Sequence, residues 1–391
     1  MKKIGVLLTA RPGGGSYQYT QSILDAVLGL PRNQYSLVFA YLDPLWLAAT
    51  GGVGRAIHLR TTLWSRFLNR VWHEAGLPIA AWRRTAAHLD GRMRALAAEK
   101  CDLWICPDQD SYAFRANVRT VATVHDLMHR YEPSFAEVSD GGEYAAREFH
   151  FRETCRWSQG VLVDSSVGRQ QLVDAYGVSP DKVFVLPYIA PRYIYNHDLA
   201  AEGDLKKRHS LPDKYFFYPA QFYAHKNHVA LIGALARMSI AHPDVRLVLV
   251  GSLQRNNYAR VRELIDTNGL ADRVVVLGYV PQADMAGLYR GARALVMPTF
   301  FGPTNIPQLE AFALGCPVAT SRIYGIPEQV GDAALLFDPA SVGEIHDCLV
   351  RLWTDDALCA DLAAKGRARS RVWGPPQFRD RLREIIDALT G

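Results

Sequence analysis

Glu310 stands in a stretch whose residue types suit binding of an anion and of a sugar: Phe300-Phe301-Gly302-Pro303-Thr304-Asn305-Ile306-Pro307-Gln308-Leu309-Glu310-Ala311, entered from the apolar run Ala294-Leu295-Val296-Met297-Pro298. The apolar run, the loop of Gly, Pro, Thr and Asn, and Leu309, Ala311, Phe312 and Leu314 at helical spacing predict strand, loop, helix. At such a junction free backbone N–H groups meet the positive end of the helix dipole, which suits a diphosphate. Glu310 lies within about a turn of that end, where its carboxylate can accept hydrogen bonds from a ribose. The competing reading is an ordinary strand-to-helix corner with a capping Asn305 and a solvated Glu310.

Three further places carry chemistry. Lys226 lies in Pro219-Ala220-Gln221-Phe222-Tyr223-Ala224-His225-Lys226-Asn227, between an expected strand at 215–218 and a helix through Val229, Leu231, Ile232 and Leu235. There it can meet a diphosphate as a flexible point charge. His125 follows the expected strand 120–124, at the carboxyl end where open α/β sheets bind ligands, and can hydrogen-bond a sugar hydroxyl or help carry charge; a purely structural His is the alternative. Arg11-Pro12-Gly13-Gly14-Gly15-Ser16 joins a strand at 4–9 to a helix through Ile23, Leu24, Val27 and Leu28. Gly14 and Gly15 let a backbone approach a bulky polar ligand, although a tight turn uses glycines equally well and neither dinucleotide nor Walker A spacing is present. Asp108-Gln109-Asp110, after the strand 103–106, is of the D-x-D kind that holds a metal on a sugar nucleotide, but such triplets also arise at polar strand ends, and no metal site is expected.

These residues need a scaffold, and the chain supplies two similar arrays of strands and helices. The first has strands at 4–9, 36–41, 103–106, 120–124, 160–163 and 182–187; the second at 215–218, 246–252, 273–279, 294–297, 316–321 and 333–337. With 391 residues, two or three domains are expected. The divisions are 1–200, 201–374 and a final helix at 375–391, through Leu382, Ile385, Ile386 and Leu389, packing back on the first domain; the polar stretch from Asp198 to Arg208 suits a linker. No acidic residue closes the strand 36–41 in the manner of a ribose-binding carboxylate, which counts against a dehydrogenase.

Aliphatic and aromatic residues make up 49% and charged residues 21%, a globular balance, and no apolar run approaches a membrane span. Met1 to Ala10 reads as a buried strand in place of a signal peptide, because its apolar core is short and Arg11 follows. Six cysteines without a C-x-x-C pair are expected to be reduced thiols in a cytoplasm. The net charge of +5 is concentrated: eight arginines at 55, 60, 66, 70, 83, 84, 92 and 94 face only Glu74 and Asp90 between 55 and 94. Leu63, Trp64, Phe67, Leu68, Val71 and Trp72 form a helical stripe with Arg60, Arg66 and Arg70 largely off it, so residues 55–94 either contact an anionic membrane or pack on the domain with solvated arginines. Nucleic acid is not an expected partner, because the segment lacks a recognised module.

Ala220 through Asn227, Gly278-Tyr279-Val280-Pro281, Leu288-Tyr289-Arg290-Gly291-Ala292 and above all Gly302 through Pro317 resemble the donor-binding half of retaining GT-B glycosyltransferases, family 4. His125-Asp126-Leu127 and Val163-Asp164-Ser165-Ser166 resemble the corresponding N-terminal segments more loosely. The resemblance implies an α/β, GT-B architecture: two Rossmann-like domains with parallel sheets facing across a cleft, the first binding acceptor and the second a nucleotide-sugar donor. It further implies transfer of a hexose, with mannose suggested, to a glycan or lipid-linked acceptor in polysaccharide or glycolipid synthesis of the O-antigen or exopolysaccharide type. Anomeric configuration is retained, and no metal or other cofactor is needed. By this likeness Lys226 holds the donor phosphates, Glu310 the ribose, and the backbone around Thr304, Asn305 and Ile306 the diphosphate and sugar. Tyr279 and Val280 contact the base, His125 lies beside the donor sugar, and Gly13 to Ser16 close over the phosphates. The implied location is cytoplasmic, peripheral to the inner membrane face.

Two positions depart from the family pattern. The first of its paired glutamates falls on Gly302, and the usual Gly-Arg before the lysine is Ala220-Gln221. Thr304, Asn305 and Gln221 are expected to take part of those roles. The departures leave a non-catalytic nucleotide-sugar-binding subunit as one alternative, and an epimerase on the same fold as another.

Overall fold

Short, almost wholly apolar strands such as Leu247–Val250 are buried on both faces, which calls for parallel sheets covered by helices. The computed structural model, which describes residues 1–74, 76–195, 205–254 and 257–391, has two such sheets. The first contains β1 (Lys2–Leu8), β2 (Tyr35–Tyr41), β3 (Arg55–His58), β4 (Leu103–Cys106), β5 (Thr120–Thr123), β6 (Gly160–Val163) and β7 (Val183–Val185), in the order β3-β2-β1-β4-β5-β6-β7. The second contains β8 (Phe216–Pro219), β9 (Leu247–Val250), β10 (Val274–Val276), β11 (Ala294–Met297), β12 (Val318–Ser321) and β13 (Leu335–Phe337), in the order β10-β9-β8-β11-β12-β13. All neighbouring strands are parallel. In each sheet the order reverses beside its first strand, at β1/β4 and at β8/β11. Loops leaving the carboxyl ends there form the crevice in which folds of this kind bind ligands.

Side-chain alternation fixes what each face buries. Phe216, Tyr218, Leu247 and Leu249 pack under the helices His228–Ala241 and Val342–Thr354, while Phe217, Val248, Leu295 and Val318 meet Leu288, Tyr289 and Phe312 on the other face. In the first sheet Gly5 of β1 leaves room for a neighbour: a Cβ there would lie 2.3 Å from the Trp104 ring.

β3 is the strand that the sequence pattern misses. Its Arg-Ala-Ile-His is short and mostly exposed on the sheet edge, paired only with β2 through Val38 to Tyr41, so it carries no apolar run. The helix Leu63–Glu74 forms as expected, but its stripe divides. Leu68 and Trp72 pack on the core, Trp72 edge-on to Trp82 at 5.1 Å, whereas Leu63, Trp64, Phe67 and Val71 are exposed.

The two compact units differ from the contiguous blocks expected at 1–200 and 201–374. One comprises Met1–Leu127, Tyr144–Pro187 and Pro375–Gly391; the other comprises Met128–Glu143 and Tyr188–Gly374. The expected boundary at 200, and the part of the polar linker at 198–204, lie outside the described residues. The final helix, Pro375–Thr390, is anchored within the first unit by buried Phe378, Leu382, Ile385 and Ile386, and by Asp387, which accepts from Lys2 Nζ at 2.8 Å and from the Tyr35 hydroxyl at 2.7 Å. Met128–Glu143 packs in the second unit because Met128, Phe135 and Val138 share an apolar cluster with Phe300, Phe301 and Tyr324.

Candidate functional site

In the second unit, the crevice between β8 and β11 gathers the loops that carry Lys226 and Gly302. The Phe300 N–H donates to the His225 carbonyl at 2.8 Å, and the Tyr218 hydroxyl donates to the Lys226 carbonyl at 2.8 Å, so the loop after β8 is tied both to the loop after β11 and to its own strand. Asn227 takes a left-handed conformation (φ 57°) and caps the helix His228–Ala241, with its Nδ2 on the Pro339 carbonyl at 2.7 Å. This turn places Lys226 at the mouth of the helix.

Two histidines flank Lys226, and both are kept neutral. His225 stacks on Phe301 with ring centroids 3.9 Å apart, and burial, then the charge of Lys226, pushes its pKa down to about 2. His228 lies between Tyr218 and Phe222, at 4.8 and 4.6 Å, and burial followed by Lys226 pushes it down to about 3. The positive charge of this turn therefore resides on Lys226. Glu137, from Met128–Glu143, accepts the Ala224 N–H at 2.6 Å and holds the turn from its outer side.

The helix Ile306–Leu314 begins where expected, but its first donors are partly engaged. The Asn305 N–H donates to Gln329 Oε1 at 3.0 Å, Gln329 Nε2 returns a bond to the Asn305 carbonyl at 2.6 Å, and Pro307 has no N–H. Asn305 Nδ2 donates to the Phe301 carbonyl at 3.1 Å. Thr304 is buried beside it. Gly302 has φ 98°, and a Cβ on it would stand 2.7 Å from the Thr304 carbonyl oxygen. No glutamate fits that backbone, so the departure from the family pattern is built into the loop.

Glu310 is buried, and both of its carboxylate oxygens accept phenol hydrogens, Oε1 from Tyr193 and Oε2 from Tyr289, each at 2.5 Å. Burial raises its pKa, and the two hydrogen bonds oppose that rise. The reading of Glu310 as a solvated residue is thereby corrected. Gln221 Oε1 accepts the Ser252 N–H at 3.0 Å and so ties the loop after β8 to the loop after β9. Tyr279 is 77% exposed on the loop after β10, with Val280 buried beside it.

In the first unit the corresponding crevice, between β1 and β4, contains Gly13 to Ser16, Asp108 and Asp110. Gly13 and Gly14 have φ 99° and 79° and stand at the start of the helix Gly14–Leu28, with Gly15 exposed beside them. Ser16 donates to Asp108 Oδ1 and Thr9 donates to Asp110 Oδ2, both at 2.5 Å, so the acidic pair fastens the glycine loop. No group of three or more His, Cys, Asp or Glu side chains arranged for a metal occurs among the described residues. Burial, with the Asp108 charge adding to it, pushes Asp110 up to about 7 against the Thr9 hydrogen bond. His125, at the end of β5, has a pKa lowered by burial, while Asp126, Asp108 and a bond to the Pro107 backbone pull it upward. Asp126 pairs with Arg147.

Sequence reasoning did not single out Tyr193, Gln329 or Glu137. Tyr193 and Glu137 are remote from the loops in sequence and no motif marks them. Tyr289 falls within Leu288-Tyr289-Arg290-Gly291-Ala292, a segment that resembles the family without giving the tyrosine a role.

The family model for glycosyl transferases group 1 matches residues 203–369. Serotype-specific mannosyltransferase WbdA of Escherichia coli is 25% identical over 261 residues, 64% of this chain and 31% of its own length. O-antigen chain mannosyltransferase B of Escherichia coli is 26% identical over 255 residues, 65% of this chain and 66% of its own. The chain thus spans about a third of the first relative's length and just under two thirds of the second's. The HepE protein of Anabaena, solved in complex with UDP and glucose, superposes with a TM-score of 0.74 at 17% identity, over 99% of this chain and 100% of that one. The chain has the GT-B fold, and its residues 203–369 are similar to glycosyl transferases group 1.

Proposed function

We propose that this chain is a retaining, metal-independent glycosyltransferase that moves a hexose from a nucleotide-diphosphate sugar to a hydroxyl of a glycan or lipid-linked acceptor. The observation that carries the reading is the β8/β11 crevice, where Lys226 is the charged group of a turn whose histidines are neutral, and where the facing loop, tied to that turn, opens the helix that carries the buried carboxylate of Glu310. As the glycosidic bond breaks, the bonding electrons pass to the leaving diphosphate. A fixed lysine and helix N-terminus stabilise that developing charge more than the ground state, a task that a metal ion performs elsewhere. Lys226, Gln221, Thr304, Asn305 and Ile306 are proposed to serve the diphosphate and sugar, Glu310 the ribose, and Tyr279 and Val280 the base. In the first unit, Gly14 and Gly15 are proposed to serve the phosphates, and His125, a neutral imidazole, the transfer step.

Mannose as the donor sugar, and O-antigen or exopolysaccharide synthesis as the setting, are proposed from the names of the relatives. The test is calorimetry with uridine, guanosine, thymidine and adenosine diphosphates and their sugars, with and without EDTA, followed by transfer to a lipid-linked acceptor and NMR of the product anomer. Selective binding that survives EDTA, and a retained anomer, are expected. Binding without transfer would favour the non-catalytic reading, for which the backbone of Gly302 speaks.

A cytoplasmic location against an anionic membrane face is proposed as well. No helix of the described residues is long and apolar enough to cross a membrane. Leu63, Trp64, Phe67 and Val71 are exposed on one helix that also exposes Arg66 and Arg70, with Arg60 just before it, a pairing of apolar and cationic groups that matches anionic lipid. Flotation with vesicles containing phosphatidylglycerol is expected to be lost at high salt and in Trp64→Ala/Phe67→Ala; flotation unaffected by both would sink this part.

A further inference from the structure

The carboxylate proposed to bind ribose is already occupied within its own unit, and the two phenols on it are not equivalent. Tyr289 is fully buried in the helix Gln282–Gly291, its ring edge-on to Phe217 at 5.0 Å. Tyr193 is only partly buried, on the one-turn helix Arg192–Tyr195, between exposed Arg192 and exposed Tyr195. A carboxylate oxygen this deeply buried, with no cation paired to it among the described residues, needs a donor at all times. Tyr193 supplies one to Oε1, and a ribose hydroxyl offers the same O–H donor with the same short geometry.

We propose, on the basis of the ribose role already proposed for Glu310, that Tyr193 holds the position of a ribose hydroxyl on this carboxylate and that the nucleotide displaces it. Tyr193 then sets donor affinity by competing with the ribose, while Tyr289 keeps the carboxylate in place. One hydroxyl replaces another, and Glu310 is never left without a partner. The competition also makes the site selective for nucleotides that carry a ribose hydroxyl at this position, because a 2′,3′-dideoxy sugar has no O–H to replace the phenol it evicts.

The test is calorimetric titration of the full chain, its Tyr193→Phe variant and its Glu310→Gln variant with UDP, GDP and their 2′,3′-dideoxy counterparts, with thermal unfolding as the check on folding. Tyr193→Phe is expected to bind the preferred ribonucleotide about tenfold more tightly, with no gain for the dideoxy form. Unchanged or weaker ribonucleotide binding in Tyr193→Phe, or an equal gain for the dideoxy nucleotide, overturns the displacement. If Glu310→Gln weakens ribonucleotide binding while Tyr193→Phe brings no gain, only the displacement fails. If Glu310→Gln binds as the parent does, or no nucleotide binds at all, the ribose role of Glu310 fails and takes the displacement with it.

Discussion

The hydroxyl of Tyr289 donates to Oε2 of Glu310 at 2.5 Å with both side chains buried, joining the helix Gln282–Gly291 to the helix Ile306–Leu314 through a charged hydrogen bond. The same helices pack through Leu288, Ala311 and Phe312 on one face of the second sheet, so the bond sits at the edge of an apolar cluster. Tyr289→Phe leaves that oxygen without its donor. We expect a loss of about 1–3 kcal/mol of stability, read by urea denaturation, and no loss would mean that water takes the place of the phenol.

Lys226→Ala is expected to lower transfer by about 100-fold or more, because a point charge on the leaving diphosphate is worth a few kcal/mol in the transition state. Steady-state kinetics separate this from a binding defect: kcat falls along with kcat/KM. Kinetics like those of the parent would remove Lys226 from the reaction.

Restoring the family's glutamate should fail. Gly302→Glu puts an L side chain at φ 98° and its Cβ against the Thr304 carbonyl, which should cost about 2 kcal/mol or more and disturb the loop that precedes the helix Ile306–Leu314. Thermal unfolding and nucleotide titration of the variant check this; a stable variant with enhanced transfer would show that the loop readily adopts a second backbone.

Asp110 gives the first unit a pH dependence. Its folded pKa of about 7 lies above the ordinary 3.8, so the folded chain keeps a proton that the unfolded chain releases. That contribution is complete below about pH 4 and is lost as pH rises through about 7. Asp110→Asn imitates the protonated side chain and should flatten this decline, making the variant more stable than the parent at pH 8 by on the order of 1–3 kcal/mol. Thermal unfolding at pH 5 and pH 8 tests the sign; equal pH slopes in parent and variant would exclude Asp110 as the source.

Twelve strands were legible as apolar runs because helices cover both faces of their parallel sheets, even at the edge strands β7, β10 and β13, which are still half-buried or buried. Arg55–His58 escaped because an edge strand with exposed faces leaves no such mark. The loops around Lys226 and Gly302 could be read because chain order alone carries them to the β8/β11 reversal. Tyr193, 117 residues from Glu310, could not, since the contact depends on how a one-turn helix packs and not on any spacing. The split stripe of Leu63–Glu74 was half legible: periodicity shows which residues share a face, but not how far the rest of the unit covers it.

The route of the chain through its two units also sets an order of assembly. Glu137, which holds the Ala224 N–H, is made long before the turn it serves, and Asp387, which secures Lys2 and Tyr35, is made long after. On the ribosome, the first unit must therefore wait unfinished, with the surface later covered by Phe378, Leu382, Ile385 and Ile386 open to solvent, while Tyr188–Gly374 of the second unit is translated. A cut between residues 187 and 188 would leave neither piece whole, and nascent chains stalled before Pro375 should be the ones that chaperones retain.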